Sequence, residues 1–199
     1  MKEKLHPTRQ RLLDTALALL DLHHPDALLV DMVLKQSGVS KGSLYHHFED
    51  FADLIETALV SMFASSVDHN SAALKSVIER SVDKEEFVRG LAQVTHETQA
   101  SDMRAVRFRR ARLLTMSEAR PRLIRKMSLE QARLTKNYTH LFEECQKKGW
   151  MNNDFDPQAA AVFIRAYTIG KIVDDVTTEP MDPDAWDRLI MRIVTKVML

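Results

Sequence analysis

Two short helical segments joined by a tight turn constrain the fold of the N-terminal quarter of this chain. Residues 30–37 form the first segment, which ends at Gly38, and Ser40 begins a second segment that runs to about Phe48. Glycine is typical of the left-handed residue that ends a helix, and serine is typical of the residue that caps the next one. Helices of about two turns are not stable alone, so longer helices must pack against them. The spacing therefore predicts a helix-turn-helix.

Apolar residues at helical spacing predict the longer helices. Segment 8–22 has one apolar face and can be capped by Thr8, and Asp50 can cap a helix that runs to the late sixties. Beyond these two, the same spacing predicts helices over residues 83–100, 103–115, 119–147, 157–176 and 183–198. The chain is therefore predicted to be all-α.

The composition excludes several classes of site. The single cysteine, Cys145, excludes a disulfide framework and a cysteine-rich zinc site. His46 and His47 point about 100° apart on a helix, whereas two metal ligands on one helix need a spacing of three or four residues. No nucleophile–base spacing or glycine-rich phosphate loop is present, so we expect neither an enzyme nor a cofactor. The chain has no apolar run of membrane length and no secretory signal pattern, which predicts a cytoplasmic protein without membrane contact.

From Thr8 to Leu54 the sequence resembles the N-terminal domain of the TetR family of transcriptional regulators. The resemblance is carried by the run from Gly38 to Phe48 and by the helix positions Arg9, Leu12, Leu13, Ala16 and Val33. It implies a three-helix helix-turn-helix DNA-binding domain over residues 1–50, followed by an α-helical effector-binding and dimerisation domain over residues 51–199. The implied function is that of a dimeric regulator, most often a repressor, which binds a palindromic operator and is released by a small-molecule effector.

The second helix of the helix-turn-helix is the segment that would contact double-stranded DNA. Leu44 and Phe48 are four residues apart and should face the core, which leaves the other side chains for the DNA. From the spacing and the resemblance, the predicted DNA-binding residues are Arg9, Ser40, Lys41, Gly42, Ser43, Tyr45 and His46. His47 is expected to support the turn into the next helix. The alternative is that Tyr45 and the two histidines are rim residues of a small helical core.

Several positions depart from the family pattern at places where phosphate contacts are usual. Leu28 and Leu29 replace Thr or Ser at the start of the second helix, Phe51 replaces a lysine, and His24 replaces a glycine. Because phosphate contacts dominate DNA affinity, we expect weaker or more pH-sensitive DNA binding than is usual in the family. These departures keep open a second function, that of a helical ligand- or protein-binding protein of the same fold with weak or lost operator binding.

The net charge of zero conceals a strongly basic block in the middle of the chain. Residues 1–56 carry 6 basic and 9 acidic side chains, whereas residues 104–136 carry 11 basic and 2 acidic ones. Such a block indicates an anionic effector, such as an acyl-CoA or a carboxylate. Arg104, Arg107 and Arg110 follow one another at steps of three residues and could converge on its phosphate or carboxylate group. The alternative is that the basic side chains are solvated or pair with acidic side chains of neighbouring helices. The predicted effector-pocket residues are Met103, Arg104, Arg107, Phe108, Met127, Tyr138, Phe142 and Tyr167.

The two C-terminal helices suggest a homodimer. Segment 157–176 is apolar almost all round, and segment 183–198 has one apolar stripe, so that two subunits could form an intermolecular four-helix bundle. The predicted interface residues are Ala160, Phe163, Tyr167, Gly170, Trp186, Ile190, Ile193 and Val197. The alternative is that both helices cover the core of a monomer.

Overall fold

The computed structural model describes residues 6–199, and within this range the chain is helical with no strand. The α-helices are α1 (Pro7–Leu22), α2 (Val30–Ser37), α3 (Lys41–His47), α4 (Phe51–Arg80), α5 (Lys84–Gln99), α6 (Arg104–Glu118), α7 (Pro121–Lys147), α8 (Pro157–Gly170), α9 (Ile172–Asp175) and α10 (Pro183–Ile193). Short 3-10 turns precede α2 and α6, and a π-turn follows α10. The predicted all-α class is confirmed.

The main difference from the predicted helices is the length of α4. This helix was expected to end in the late sixties, but it continues to Arg80. The polar residues Asp68, His69 and Asn70 hide the apolar spacing, yet no glycine or proline interrupts the helix. Buried side chains continue at helical spacing beyond them, at positions 71, 74, 77 and 78. Packing therefore maintains the helix where the local sequence pattern is weak.

The ends of three other helices also differ from the prediction. Helix α1 is capped by His6, whose Nδ1 accepts a hydrogen bond from the Thr8 amide at 3.3 Å, rather than by Thr8 itself. The segment predicted as 157–176 breaks after Gly170, where the buried Lys171 pairs with Asp174 at 3.1 Å. The segment predicted as 183–198 is α-helical only to Ile193. These differences do not alter the order of the elements.

Two clusters of buried side chains form the interior. The first, which we call the head core, joins α1, α2 and α3 to the start of α4 and includes Leu12, Leu44 and Leu54, all 0% exposed. The second, which we call the body core, begins at Phe63 and contains residues of α4 to α8 and α10. The predicted division into residues 1–50 and 51–199 stays a prediction, since α4 contributes to both cores.

Packing between long helices builds the body. Helix α7 packs against α4 on one side and α8 on another, and α10 packs against α5. The first turns of α4 belong to the head core, so α4 is the helix through which head and body are joined covalently. Among residues 6–199, no helix is long and apolar enough to cross a membrane.

Candidate nucleic-acid interface and ligand cavity

Local capping interactions define helix α3. Gly38 ends α2 in the left-handed conformation, with φ of 65°, which favours glycine. The Ser37 hydroxyl accepts a hydrogen bond from the Val39 amide at 3.3 Å, and Val39 is buried in the head core. The Ser40 hydroxyl then caps α3 by accepting a hydrogen bond from the Ser43 amide at 3.2 Å. The turn is thus fixed by interactions between Ser37 and Ser43, all of which are local in the sequence. For this reason the turn could be predicted from the sequence.

One face of α3 is buried and the other is open. Leu44 and Phe48 are 0% and 2% exposed, which confirms the prediction that both face the core. The outward residues are Lys41, Gly42, Tyr45 and His46, all of which are exposed. Nothing lies within 4 Å of the position that a Cβ atom would take at Gly42. The open face therefore combines one ammonium group, one phenol and one imidazole around a residue without a side chain.

The remaining predicted DNA-binding residues lie at the two ends of α3. Ser40 and Ser43 are occupied in the cap, where their hydroxyl oxygens are 3.1 Å apart. Arg9 of α1 lies at the other end, with its guanidinium carbon 4.8 Å from the centre of the Phe48 ring. The structure thus places all seven predicted residues on or beside one short helix, within a single patch.

Three histidine rings lie close together beside the end of α3. The His47 ring lies 4.7 Å from the His6 ring and 5.0 Å from the His46 ring, measured between centroids. Partial burial lowers the pKa of His47, and the neighbouring His6, His46 and Arg9 lower it further. His47 is therefore less charged at neutral pH than a free histidine, so it does not restore positive charge to the head.

The departures from the family pattern have distinct structural positions. Leu29 precedes α2 without a side-chain cap and is 65% exposed, whereas Leu28 is buried in the head core. Phe51 begins α4 and packs partly against the same core. His24 accepts a hydrogen bond from the Asp26 amide at 3.4 Å and begins the 3-10 turn before α2. None of these four side chains offers a fixed positive charge to a phosphate.

The basic block supplies counter-charges to the acidic head. Arg122 of α7 donates to Glu56 at 2.7 Å, to Asp50 at 2.9 Å and to Glu49 at 3.2 Å. Lys126, one turn later, contacts the Asp53 carboxylate. We call these six residues the α7 clamp. It holds the corner between α3 and α4 against the body, and it supports the sequence alternative in which the basic block pairs with neighbouring acidic helices.

A buried ion pair between Arg107 and Asp175 lies in the body. Arg107 is 1% exposed, and its Nε and Nη2 donate to the two carboxylate oxygens of Asp175 at 2.5 and 2.7 Å. Its Nη1 also donates to the Ala100 carbonyl at 3.2 Å. Arg107 was predicted to contact an effector, but its guanidinium already donates to the carboxylate of Asp175, which lies 68 residues later in the sequence. The local sequence could not indicate a partner at that distance.

A cavity lies between the head and the body. It has a volume of about 510 Å³, which is within the usual range for ligand pockets. The end of α1 forms one wall, and α4 and α6 form the others. Only Met103 of the predicted effector residues lines it. The most deeply buried charged residue of its lining is Arg110, which follows Arg107 by three residues on α6.

The other predicted effector residues are distributed elsewhere. Tyr138, Phe142 and Tyr167 line a smaller cavity of about 60 Å³ in the body core. Met127 is part of that core and lines neither cavity, and the Arg104 guanidinium lies 5.2 Å from the centre of the Phe108 ring. The predicted set therefore does not form one pocket. Burial raises the pKa of Tyr138 to about 12, which keeps its hydroxyl neutral.

The predicted interface residues also separate into two groups. Ala160 and Ile190 are only 5% and 4% exposed and belong to the body core, where small residues of α8 allow close approach to α7. These two therefore face their own chain rather than a partner. Tyr167, Trp186 and Ile193 are half-buried, whereas Phe163, Gly170 and Val197 are exposed. Val162 on α8 and Leu189 on α10 are further exposed apolar residues of these helices.

Comparison with known proteins agrees with the predicted family. Residues 12–58 match the family model described as bacterial regulatory proteins of the tetR family, which confirms the predicted resemblance. The matched segment covers the head core from Leu12 to Ala58. The similarity to these regulatory proteins therefore lies in the segment that contains the helix-turn-helix. A comparison with curated proteins found no significant match.

Solved structures of regulators match nearly the whole chain in fold. GusR from Salmonella enterica is 19% identical over 98% of both chains, with a TM-score of 0.66. A TetR-family regulator from Mesorhizobium loti is 14% identical over 98% of this chain and 96% of that chain, with a TM-score of 0.68. A transcriptional regulator from Saccharomonospora viridis, solved in complex with choline, is 16% identical over 96% of both chains, with a TM-score of 0.65. At these identities the likeness concerns the fold alone.

Proposed function

We propose that this chain, whose N-terminal domain belongs to the tetR family of bacterial regulatory proteins, is a dimeric, ligand-responsive repressor. It binds a palindromic operator through α3, and a small-molecule effector releases it. The observation that carries the proposal is the open face of α3, with Lys41, Gly42, Tyr45 and His46 exposed on a capped helix. A helix enters the major groove most deeply where its side chains are small, and a phenol and an ammonium group can contact phosphates or base edges beside it.

The exposed apolar residues of the last helices support a dimer. Val162 and Phe163 of α8 are 52% and 43% exposed, and Leu189 of α10 is 50% exposed. Large apolar side chains that remain exposed on neighbouring turns are typical of protein interfaces. A symmetric dimer would present its two α3 helices to successive major grooves, roughly 34–36 Å apart, and would therefore bind two related half-sites.

Two connections between head and body can transmit the effector signal. The cavity of about 510 Å³ has walls from α1 in the head and from α4 and α6 in the body. The α7 clamp ties the corner between α3 and α4 to the body through Arg122 and Lys126. A ligand that fills the cavity better in one arrangement of α1 and α6 will favour that arrangement. Choline bound to the Saccharomonospora viridis regulator shows that a protein of this fold can hold a small molecule.

A second function is favoured by the positions where phosphate contacts are missing. Leu29 is 65% exposed at the start of α2, where a hydroxyl would otherwise face a phosphate, and Phe51 has no charge. A protein with this head could bind operator DNA weakly or not at all, and could act through ligand or protein contacts instead. DNA selection distinguishes the two functions.

We expect selection from random duplex DNA at about 150 mM salt to enrich a palindromic sequence. The Tyr45→Ala protein should enrich the same sequence at least 10-fold less, because it loses one contact worth about 1–3 kcal/mol on the DNA side of α3. Tyr45 is 45% exposed, so the substitution should leave the fold intact, which circular dichroism checks. The control is Leu129→Ala, which truncates an exposed side chain on α7 in the body. No enrichment by the native protein, at pH 7.5 or pH 6, would favour the second function.

Sedimentation should find a dimer at micromolar concentration, and Phe163→Asp should shift it towards monomer. A carboxylate at this exposed apolar site would have to be desolvated on association, which is unfavourable by several kcal/mol. Thr177→Asp, an exposed change beyond α9, serves as the control and should leave the mass unchanged. A native monomer, or a Phe163→Asp dimer of unchanged affinity, would rule out this interface.

A further inference from the structure

The cavity between α1, α4 and α6 is apolar inside and polar at its edge. Its buried lining residues include Leu20, Phe63 and Leu113, which are 7%, 4% and 4% exposed. Its exposed lining residues are all polar or charged, and they are Asp21, His23, Ser65, His69, Arg109 and Arg112. Such a division suits a molecule with an apolar body and a polar group, rather than a uniformly polar or uniformly apolar one.

One buried residue in this lining carries a charge without a counter-ion. Arg110 is 6% exposed, its Nε donates to the Ser66 hydroxyl at 3.0 Å, and its Nη2 has no hydrogen-bond partner among residues 6–199. Burial lowers the pKa of Arg110, and the neighbouring Arg165 and Arg107 guanidinium groups lower it further. A buried guanidinium normally pairs with a carboxylate or a phosphate, because an unpaired charge is costly to bury.

Two other arginines of α6, in contrast, have carboxylate partners. Arg107, one turn before Arg110, is held by both carboxylate oxygens of Asp175. Arg109 lies 3.4 Å from Asp21, which is the only carboxylate among the described residues that line the cavity. Arg110 and Arg112 have no carboxylate partner within the described range of the chain. The lining thus contains three arginines against one carboxylate, so its potential favours an anion.

We propose that this cavity binds an amphiphile with a single carboxylate and an apolar body, and that Arg110 supplies the counter-charge. The inference deepens the proposed function, on which it rests, by naming the chemical class of the effector. The carboxylate pairs with the guanidinium group of Arg110, and the apolar body lies against Phe63 and Leu113. Of Arg104, Arg107 and Arg110, which the sequence suggested as an anion site, only Arg110 lines the cavity.

Such a ligand would contact the DNA-binding head directly. Leu17 and Leu20 of α1 line the same cavity as Arg110 and Leu113 of α6. A molecule that bridges these two helices fixes the position of α1 relative to the body. Because α1 packs against α2 and α3 in the head core, this position determines how the two α3 helices of a dimer are spaced.

Decanoate at pH 7.5, below its micelle concentration, is a suitable probe. Calorimetry should find that it binds at least 10-fold more tightly than decan-1-ol or decyltrimethylammonium, which keep the chain but remove or reverse the charge. Decanoate should also weaken binding to the selected operator at least 10-fold. If the alcohol or the ammonium compound binds as tightly as decanoate, the proposal is wrong, and this comparison needs no variant.

Arg110→Met tests the residue. It keeps an unbranched apolar stem without the guanidinium and should reduce the affinity for decanoate about 10- to 100-fold, while the affinity for decan-1-ol changes less than 3-fold. Arg125→Gln is the matched control, because Arg125 is an exposed arginine of the basic block outside the cavity lining. Thermal unfolding verifies that the variants are folded. If Arg110→Met does not fold, Arg110→Gln is used in its place. Unchanged decanoate affinity in the folded variant would overturn the proposal, whereas ligand-free operator binding reports separately on the proposed function.

Discussion

Replacing Asp175 by asparagine is expected to lower the free energy of unfolding by about 3–5 kcal/mol. The substitution removes the partner of Arg107, which is 1% exposed, while Asp175 itself is 6% exposed on its side chain. One of the two carboxylate oxygens is replaced by an NH2 donor, so one hydrogen bond is lost and the buried guanidinium keeps only neutral acceptors, the amide oxygen and the Ala100 carbonyl. The large effect comes from this uncompensated charge rather than from the loss of attraction alone.

Urea denaturation followed by circular dichroism measures this change. Asp154→Asn is the matched control, because Asp154 is exposed in the loop between α7 and α8 and its carboxylate makes no ion pair among residues 6–199. The double variant Arg107→Met/Asp175→Leu should recover most of the stability, since an apolar pair can replace a buried ion pair at little cost. Equal stability of Asp175→Asn and the native protein would mean that Arg107 is not held as the structure places it.

Replacing Arg122 by methionine is expected to lower the free energy of unfolding by about 2–3 kcal/mol and to weaken effector control of the head. The guanidinium binds three carboxylates of the α7 clamp, of which only that of Glu56 is deeply buried, at 6% exposure. The expected loss is smaller than for Asp175 because Glu49 and Asp50 remain in contact with water. Without the three ion pairs of Arg122, the head should move more freely relative to the body. The effector should therefore change operator affinity less than it does in the native protein.

Acidification supplies a second test of the α7 clamp. The Arg122 hydrogen bond lowers the pKa of Asp50. Burial raises the pKa of Asp53, but contacts with Lys126 and the Glu49 amide outweigh it, and the net pKa is lowered. A carboxyl whose folded pKa is lowered contributes stability above its ordinary pKa, and this contribution is lost as the pH falls through the lowered value. The difference in stability between native protein and Arg122→Met should therefore shrink below about pH 4.

Arg125→Met controls for the loss of one positive charge on α7. Arg125 follows Arg122 by three residues, is exposed, and makes no ion pair in the described part of the chain. It should change stability by less than about 0.5 kcal/mol at any pH. A pH-independent difference for Arg122→Met, or an equal effect of Arg125→Met, would contradict the assigned role of the α7 clamp.

The head could be predicted from sequence because short-range interactions build it. Gly38, Ser40 and the apolar pair Leu44 and Phe48 act within one turn and one short helix, and each takes the position that the spacing indicates. The body was harder because its interactions join distant segments. The partners of Arg107 and Arg122 lie 68 and 66 to 73 residues away in the sequence. Local charge patterns cannot distinguish an arginine that is free to bind a ligand from one that is already paired with a carboxylate of the same chain.

The candidate cavity illustrates the same limit. Its walls come from three segments, near residues 17–25, 59–70 and 103–116. Met103, which the sequence indicated, lines this cavity, but the sequence could not show that Tyr138 and Phe142 line a separate, smaller cavity. Likewise, the apolar character of α8 could be read from its sequence, but which side faces α7 could not. Ala160 and Phe163 are three residues apart, and only the packing places one inside and the other outside.

Binding of native and Tyr45→Ala protein to the selected duplex, measured by fluorescence anisotropy between 50 and 300 mM salt, tests the central claim most directly. We expect the native protein to bind with a steep, linear fall of log affinity against log salt, because phosphate contacts release counter-ions. Tyr45→Ala should bind at least 10-fold more weakly at every salt concentration. Equal affinities of the two proteins, or binding that does not depend on salt, would show that α3 does not contact the operator.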